Sequence, residues 1–333
     1  MRSVLVTGGA GFVGSWVVRE LLGRSHHSRV SVVDNFANGR AELLPTSDRL
    51  TVHSVDLRDG AALAKVMATV QPDCVIHLAA LHFIPYCNAH PAEALHVNTV
   101  GTQHVLDACN THPPERLVIA STAAVYPIRD EANREDDPTG PTDIYGLSKL
   151  ANEKQLELFA QAGRTRCAAA RLFNVYGPHE TNPHVIPEIV RQMVAGETEI
   201  ALGNVKPKRD YVYVTDVARA LVDLATRNEH PYRVYNVGTG HEYSVEEIVH
   251  YLREASGRPI RIAVAGDRVR KSDRMHLLCD RRRIGEEIGW QPRYTIETGL
   301  HALWQSTIAP AGGNGSGSTP AELYSATALS GRC

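Results

Sequence analysis

A glycine-rich turn between a short apolar strand and a helix is the feature that most constrains the fold of this chain. Residues 3–6 (Ser-Val-Leu-Val) have the pattern of a buried strand, Gly8, Gly11 and Gly14 follow, and a helical pattern begins at Ser15. Glycines permit the tight turn and let the backbone approach a pyrophosphate at the helix N-terminus, where free N–H groups and the helix dipole favour an anion. The pattern predicts a dinucleotide-binding unit.

An acidic residue ends the second strand. Residues 30–33 (Val-Ser-Val-Val) have the pattern of a strand and lead into Asp34, twenty residues beyond Gly14. A carboxylate here can accept hydrogen bonds from both ribose hydroxyls of an adenosine, and it repels a 2′-phosphate. NAD is therefore the predicted cofactor, and the nearby Arg40 leaves NADP as the alternative.

Strand and helix patterns alternate through the first half of the chain. This alternation predicts a parallel sheet covered by crossover helices on both faces, which is the doubly wound, Rossmann-type α/β class. The further strand patterns lie at 50–55, 74–80, 118–122 and 167–173, and helical patterns lie at 94–108 and 145–162.

Tyr145 and Lys149 are candidate proton-transfer groups. They are four residues apart, so on a helix they share a face and the ammonium can lie beneath the ring. A nearby cation favours the phenolate, which predicts a lowered tyrosine pKa and a proton acceptor near neutral pH. The alternative is a buried ring beside a solvated charge. Chain order favours catalysis, because the strand before them would deliver Ser121 and Thr122 to the carboxyl edge of the sheet.

Composition argues against several other classes of protein. The 333 residues include 35 basic and 37 acidic side chains, and a net charge of −2 provides no overall basic field for nucleic acid. No apolar run approaches the roughly 20 residues that span a bilayer, and no signal-peptide pattern precedes the first strand, so we expect a cytoplasmic protein without membrane association. The six cysteines lack C-x-x-C spacing and the sixteen histidines lack partners at ligand spacing, so no metal is expected.

The ordered motifs resemble those of the extended short-chain dehydrogenase/reductase family, specifically its nucleotide-sugar epimerases and dehydratases. The resemblance runs from residue 4 to about residue 304. Besides the glycine cluster, its landmarks are Asp56-Leu57, His77-Leu78-Ala79-Ala80, Val97-Asn98, and the stretches 121–126, 145–149, 171–178, 209–216 and 236–238.

The resemblance implies particular contacts for the cofactor NAD. Asp56 and Leu57 would flank the adenine, and Lys149 would bind the nicotinamide ribose. Asn98 has a purely structural hydrogen-bonding role as its alternative. The complete predicted set is Gly8, Gly11, Phe12, Val13, Gly14, Asp34, Asn35, Asp56, Leu57, Ala79, Ala80, Asn98, Tyr145 and Lys149.

The resemblance also implies a catalytic set and a nucleotide-sugar substrate, foremost a UDP-sugar. Thr122 would hydrogen-bond the sugar hydroxyl that Tyr145 deprotonates, and Lys149 completes the set. A planar guanidinium suits a diphosphate, although the arginines could instead belong to a solvated surface. The substrate-binding residues would be His82, Thr122, Asn174, His184, Val185, Leu202, Arg209, Arg270 and Arg274.

Two domains and a tail follow from the same resemblance. Residues 1–173 with 205–240 would form the NAD-binding Rossmann domain, and 174–204 with 241–308 a smaller α/β nucleotide-sugar-binding domain. Residues 309–333 are rich in Gly, Ser, Thr and Ala and are predicted to be a flexible tail. Relatives commonly dimerise through two helices per subunit, here 94–108 and 145–162, so a homodimer is expected.

The residues after Thr122 discriminate between reactions. Dehydratases of this family generally place an acid there, whereas this chain has Ala123 and Ala124, whose methyl groups cannot transfer a proton. This predicts a 4-epimerase that oxidises C4 to a ketone and reduces it on the opposite face. Pro127 in place of a usual glycine, and the segment 267–280, leave a 4,6-dehydratase or a 4-ketoreductase open. An NAD-binding regulatory or scaffold protein is the non-enzyme alternative, and the intact catalytic set argues against it.

Overall fold

Twelve strands are present in the described part of this computed structural model, which comprises residues 1–180, 182–264 and 274–309. They are β1 (Ser3–Thr7), β2 (Arg29–Asp34), β3 (Leu50–Ser54), β4 (Cys74–His77), β5 (Arg116–Thr122), β6 (Arg166–Leu172), β7 (Asn174–Tyr176), β8 (Glu199–Leu202), β9 (Lys208–Tyr213), β10 (Tyr232–Val237), β11 (Glu242–Ser244) and β12 (Arg261–Val264). The predicted tail beyond residue 309 and the segment 265–273 lie outside the described residues.

The same ranges contain eleven α-helices. They are α1 (Phe12–Arg24), α2 (Gly60–Val70), α3 (Ile84–Ala89), α4 (Pro91–Leu95), α5 (Gly101–Thr111), α6 (Ile144–Ala160), α7 (Val185–Val194), α8 (Val214–Arg227), α9 (Val245–Ser256), α10 (Arg282–Ile288) and α11 (Ile296–Ile308). None of these helices is both long enough and apolar enough to cross a bilayer.

A seven-stranded parallel sheet forms the centre of the molecule. Its strand order is β10-β6-β5-β4-β1-β2-β3, and each neighbouring pair is parallel. The chain therefore winds outward in both directions from β1 and β4, which confirms the predicted doubly wound α/β class. In such sheets a ligand crevice forms at the carboxyl ends of the strands where the order reverses.

Alternation of side chains along the strands builds a separate core on each face of this sheet. In β1, Val4 and Val6 pack with apolar residues of α1 and α8, whereas Leu5 packs with residues of α2, α5 and α6. Successive strand residues point to opposite faces, so a strand covered by helices on both sides must be apolar throughout. This explains why the predicted strands are continuous apolar runs.

A further core lies among α7, α9, α11 and two small sheets, which have the strand orders β11-β9-β7 and β12-β8. Strand β9 contributes to two cores, because Tyr211 and Tyr213 pack here while Val212 packs with α1 and α8. Helix α10 also packs with the larger core, through Ile284 and Ile288, although the sequence places it in the smaller domain. The division into two domains stays a prediction.

The helix expected over 94–108 is interrupted. Helix α4 ends at Leu95, a π-helical turn covers His96–Val100, and α5 begins at Gly101. The Asn98 carbonyl accepts hydrogen bonds from the side chains of Thr102 (2.6 Å) and Asn152 (2.9 Å). These side chains provide partners for a carbonyl in a wider turn, and π-helical turns are frequent at functional sites.

Packing around Gly299 gives a test of the smaller core. A Cβ at Gly299 in α11 would lie 2.0 Å from the Tyr176 hydroxyl oxygen. We expect Gly299→Ala to lower the free energy of unfolding by about 1–3 kcal/mol, because the core must shift to admit the methyl group. Urea denaturation measures this change. The control is Gly23→Ala in α1, where a Cβ meets nothing within 4 Å. This substitution should raise the free energy of unfolding by roughly 0.5–1 kcal/mol, because alanine favours a helix more than glycine does. Destabilisation by both substitutions would contradict the packing explanation.

Candidate functional site

A cleft of about 870 Å³ opens beyond the carboxyl ends of β1, β4 and β5. Most of the residues predicted from the sequence line it, although they come from distant parts of the chain. They are Gly8, Gly11, Phe12, Val13, Gly14, Asp34, Asn35, Asp56, Leu57, Ala79, Ala80, His82, Thr122, Tyr145, Lys149, Asn174, His184, Val185, Arg209 and Arg274.

Three predicted residues are not in this lining. Asn98 is buried, and its side chain exchanges two hydrogen bonds of 2.8 Å with the backbone of Leu81, which holds the loop after β4. That is the structural role named as its alternative. Leu202 packs in the smaller core, while the following residue, Gly203, reaches the cleft. Arg270 lies outside the described residues.

The glycine turn has the shape required to hold a pyrophosphate. Gly8 has a φ of +70°, which favours glycine, and a Cβ at Gly14 would lie 2.0 Å from the Gly8 carbonyl oxygen. Helix α1 begins directly after this turn, with Gly11 at its N-cap and no side chain capping it. The first N–H groups of the helix therefore face the cleft without a competing side-chain acceptor, which suits an anion.

Asp34 supports this turn and also reaches the predicted ribose position. Its Oδ2 accepts a hydrogen bond from the Ala10 N–H (3.0 Å) and its Oδ1 accepts one from the Phe36 N–H (2.9 Å). A carboxylate oxygen can accept a second hydrogen bond, so these contacts leave capacity for ribose hydroxyls. The arginine considered for NADP, Arg40, does not line the cleft.

Arg58 is a cleft residue that the sequence analysis missed. Its Nη2 donates to Asp56 Oδ2 at 2.6 Å, and this guanidinium holds the pKa of Asp56 well below its ordinary range. The paired carboxylate also accepts a hydrogen bond from the Asn35 amide (2.9 Å). The charge of Arg58 is thus balanced within the adenine end of the cleft, which is consistent with a cofactor that has no 2′-phosphate.

Tyr145 is placed by the start of α6. Asp143 caps this helix, because its Oδ1 accepts a hydrogen bond from the Gly146 N–H at 2.8 Å. A Cβ at Gly146 would lie 2.5 Å from the Ala124 carbonyl oxygen, so only glycine lets the helix pack this closely on the turn after β5. The close packing brings Tyr145 beside Thr122 in the lining of the cleft.

Burial dominates the ionisation of Tyr145 and Lys149. It raises the pKa of Tyr145, and the Thr122 hydroxyl opposes only part of that effect. The sequence-based expectation of a lowered tyrosine pKa is therefore wrong for the protein alone, because desolvation penalises the phenolate more than the surroundings favour it. Burial also lowers the pKa of Lys149 to about 8.

A neutral histidine supports the floor of the cleft. The Thr102 hydroxyl donates to the Asn98 carbonyl (2.6 Å), so it accepts from His77 Nε2 (2.8 Å). His77 Nδ1 then accepts from the Thr7 hydroxyl (2.6 Å), whose oxygen accepts from the Ala79 N–H (3.3 Å). Burial lowers the pKa of His77 to about 3, which keeps the ring neutral, and these hydrogen bonds select the tautomer that is protonated at Nε2. Within the described residues, no group of three or more His, Cys, Asp or Glu side chains is arranged to hold a metal.

Two arginines lie close together in the substrate part of the cleft. Burial lowers the pKa of Arg274, and the charge of Arg209 lowers it further. The Arg274 guanidinium is held by a hydrogen bond of 2.8 Å to the Tyr126 carbonyl. Two neighbouring cations with planar forks suit an anion with several oxygens, such as a diphosphate.

Two histidines and a carboxylate lie at another part of the lining. His184 Nδ1 contacts the carboxyl group of the buried Glu180, and the ring centroid of His184 lies 6.3 Å from that of His82. The Asn182 amide lies 2.6 Å from His82 Nε2. Both histidines were predicted from the sequence, but Glu180 and Asn182 were not. No motif in the sequence indicates that the loop after β7, which contains them, packs against the loop after β4.

Comparison with known proteins identifies the family. The model of the NAD dependent epimerase/dehydratase family matches residues 4–238. The chain belongs to this family. It is 34% identical over 324 residues to the UDP-glucose 4-epimerase of Corynebacterium glutamicum, with 92% of this chain and 96% of that protein covered.

Solved structures show the same relationship. The UDP-glucose 4-epimerase of Thermus thermophilus in complex with NAD matches with a TM-score of 0.82 and 31% identity, over 91% of this chain and 98% of that one. The Thermotoga maritima UDP-glucose 4-epimerase with UDP-glucose has a TM-score of 0.83 and 28% identity, over 91% and 97%. The predicted cofactor, NAD, is confirmed by the family and by these neighbours.

The burial of Lys149 predicts a pH-dependent cost to folding. Its pKa falls from 10.5 to about 8, so below pH 8 the native state holds a buried charge. Below pH 8 the buried charge lowers the free energy of unfolding by its full amount. This loss of stability disappears as the pH rises to 10.5, where the unfolded chain also loses the proton. We expect Lys149→Met to raise the free energy of unfolding of nucleotide-free protein by about 3 kcal/mol at pH 7, with little gain at pH 10.5.

Denaturant unfolding at both pH values checks this prediction. The matched control is Lys154→Met on the same helix, where the side chain is exposed, and it should change the stability by less than about 0.5 kcal/mol at either pH. A gain from Lys149→Met that is the same at pH 7 and pH 10.5 would show that the buried charge is not its cause.

Proposed function

We propose that this protein is an NAD-dependent 4-epimerase of a nucleotide sugar, with a UDP-sugar as substrate. The observation that carries the proposal is that Thr122, Tyr145 and Lys149 line one cleft, and that the two residues after Thr122 in the same lining are Ala123 and Ala124. This site can move a proton at C4, but it offers no acid directly after Thr122 for further elimination. Similarity to UDP-glucose 4-epimerases supports the substrate class.

The residues of the chain provide the acid–base part of the reaction. Tyr145 accepts the proton of the C4 hydroxyl, and Thr122 hydrogen-bonds the same oxygen and holds it in line. Lys149, one helical turn further along α6, is charged below a pH of about 8 and favours the phenolate. The chemistry that NAD supplies when bound is removal of a hydride from C4 and its later return.

Epimerisation requires the 4-keto sugar to present its other face. Arg209 and Arg274 hold the diphosphate in this proposal, so the nucleotide remains bound while the sugar turns about its phosphate link. Tyr145 then returns the proton to the C4 oxygen, whichever face has been reduced. The protein thus positions the substrate and provides a proton acceptor, and the cofactor is in its original oxidation state at the end of each cycle.

A 4,6-dehydratase is the second candidate, because one observation favours it. Glu180 and His184 pair in the lining of the same cleft, and burial raises the pKa of Glu180. A carboxylic acid with a raised pKa is suited to general acid–base catalysis. This pair could supply the acid that is absent after Thr122.

The isotope content of the product distinguishes the two candidates. UDP-, GDP-, TDP- and CDP-sugars are incubated with the protein in heavy water, and products are followed by NMR. We expect the C4 epimer of a UDP-sugar without deuterium at C5, because no base removes the C5 proton, and without deuterium at C4, because the C4 hydrogen moves as hydride. Tyr145→Phe should lower kcat roughly 10²–10⁴-fold while binding persists; Tyr251→Phe, on α9, is the matched control. A 4-keto-6-deoxy product would instead establish dehydratase chemistry, and deuterium at C5 would show that another residue removes the C5 proton.

The homodimer remains part of the proposal. Leu147 and Leu158 on α6 are 48% and 66% exposed, and their spacing of eleven residues puts them on one helix face. Val100, beside α5, is also exposed. Burial of these side chains against a second copy would form the expected isologous contact between helices.

Charged substitutions on this face test the assembly. We expect wild-type protein to sediment as a dimer, and the double variant Leu147→Glu/Leu158→Glu to sediment as a monomer, because each subunit would bring two carboxylates to the apolar contact. The control is Val52→Glu, at an exposed position of β3 away from α6. A wild-type monomer would remove this part of the proposal.

A further inference from the structure

A buried ion pair lies behind the catalytic helix. The side chains of Glu153 and Arg171 are only 3% and 5% exposed. Arg171 donates from Nε to Glu153 Oε1 (2.9 Å) and from Nη2 to Oε2 (2.7 Å), which is the bidentate geometry of the strongest pairs. Ser121 Oγ donates a third hydrogen bond to Oε1 at 2.5 Å.

These three residues connect three elements of the site. Ser121 is in β5, Arg171 is its partner across the parallel ladder in β6, and Glu153 projects from α6. Ser121 directly precedes Thr122, and Glu153 follows Tyr145 by eight residues, about two helical turns. The network therefore determines how α6 lies over the end of β5.

Stability alone does not explain a buried ion pair. Desolvation of both charges offsets most of their attraction, and apolar replacement of both partners is often neutral or stabilising. Arg171 is further constrained, because its Nη1 donates to the Tyr126 hydroxyl (2.8 Å) and to the Glu135 carbonyl (3.1 Å). Such a network fixes the relative position of α6, β5 and β6, whereas an apolar contact in its place would allow α6 to shift along the sheet.

We propose that Ser121, Glu153 and Arg171 are positioning residues, which hold α6 where Tyr145 lies beside Thr122. Glu153 and Arg171 are outside the cleft lining and so do not touch the substrate, whereas Ser121 lines the cleft and donates its hydroxyl proton to Glu153. Small errors in the placement of a reacting group are costly, because a displacement of about 1 Å can reduce turnover roughly 10²-fold. This proposal rests on the proposed function in one respect, which is the choice of nucleotide-sugar epimerisation as the reaction to assay.

Removal of both charges separates positioning from stability. A single substitution leaves an unpaired buried charge and destabilises by about 3–5 kcal/mol, so the informative variant is Glu153→Leu/Arg171→Met. We expect it to fold with a melting temperature at or above that of wild type and to retain NAD. Its kcat for the UDP-sugar should fall about 10- to 100-fold, with KM within about twofold, because the arginines that bind diphosphate are elsewhere.

The ionisation of Tyr145 gives a second measurement that needs no turnover. The groups that act on the pKa of Tyr145 are the Thr122 hydroxyl, which lowers it, and Cys87 on α3 and Asp143 at the helix cap, which raise it. The double variant changes none of them. If α6 shifts, Tyr145 moves away from the Thr122 hydroxyl and the tyrosine pKa rises. Tyrosinate absorbance of the NAD-bound protein, with Tyr145→Phe as the blank, should show this rise, and the acidic limb of the kcat profile should move to higher pH.

A milder variant and a matched pair complete the experiment. Ser121→Ala leaves the ion pair intact and should reduce kcat several-fold without loss of stability. The control removes another charge pair, Arg24 with Asp223, which joins α1 to α8 away from the cleft; Arg24→Met/Asp223→Leu should leave kcat and the Tyr145 titration unchanged.

The possible outcomes are distinguishable. If the folded double variant, or Ser121→Ala where the double variant does not fold, matches wild type in kcat and in the Tyr145 titration, the network is structural only and the proposal is overturned. A wild-type protein that converts no nucleotide sugar removes the proposed function, and the Tyr145 titration then decides the positioning proposal by itself.

Discussion

The close packing of α6 on the turn after β5 is the constraint on which the active-site geometry depends. Gly146 makes it possible, since any Cβ there would collide with the Ala124 carbonyl. The Asp143 cap sets where the helix begins, and each later residue follows from the helical repeat: Tyr145 at the cleft, Lys149 one turn on, Glu153 two turns on. The contact of α6 with the turn after β5 thus determines the positions of the Tyr145 hydroxyl, the Lys149 ammonium and the Glu153 carboxylate together.

This packing also buries the groups that must ionise. Both Tyr145 and Lys149 favour their neutral forms, since burial raises the first pKa and lowers the second. The same low dielectric strengthens each hydrogen bond or charge that reaches the tyrosine. A displacement of Thr122, or loss of the charge on Lys149, therefore affects the phenolate more than it would in water. Positional accuracy and burial therefore act together on the ionisation of Tyr145.

Local signals were the part of the structure that could be predicted from the sequence. The glycine turn, the acid after β2 and the parallel α/β fold depend on neighbouring residues or on periodicity, and the structure has all three. The direction of the Tyr145 shift was predicted wrongly, because it depends on burial that spacing does not reveal. Contacts between residues from distant segments were not predicted. The sequence shows that Glu153 follows Lys149 by four residues, but its pairing with Arg171 also depends on the register of β5 and β6.

The cleft holds different side chains in two regions, and the proposed function assigns both to the substrate. Arg209 and Arg274 are neighbouring cations that suit a diphosphate, whereas His82, His184 and Glu180 come from the segments after β4 and β7. In the proposed function, the two arginines keep the nucleotide in place while the sugar turns about its phosphate link. Only C4 becomes trigonal in the 4-keto sugar, so this carbon can receive a hydride on either of its faces once the sugar has turned. Reversal of configuration would then need no second catalytic set, because Tyr145 would exchange its proton with the C4 oxygen and not with one face of the ring.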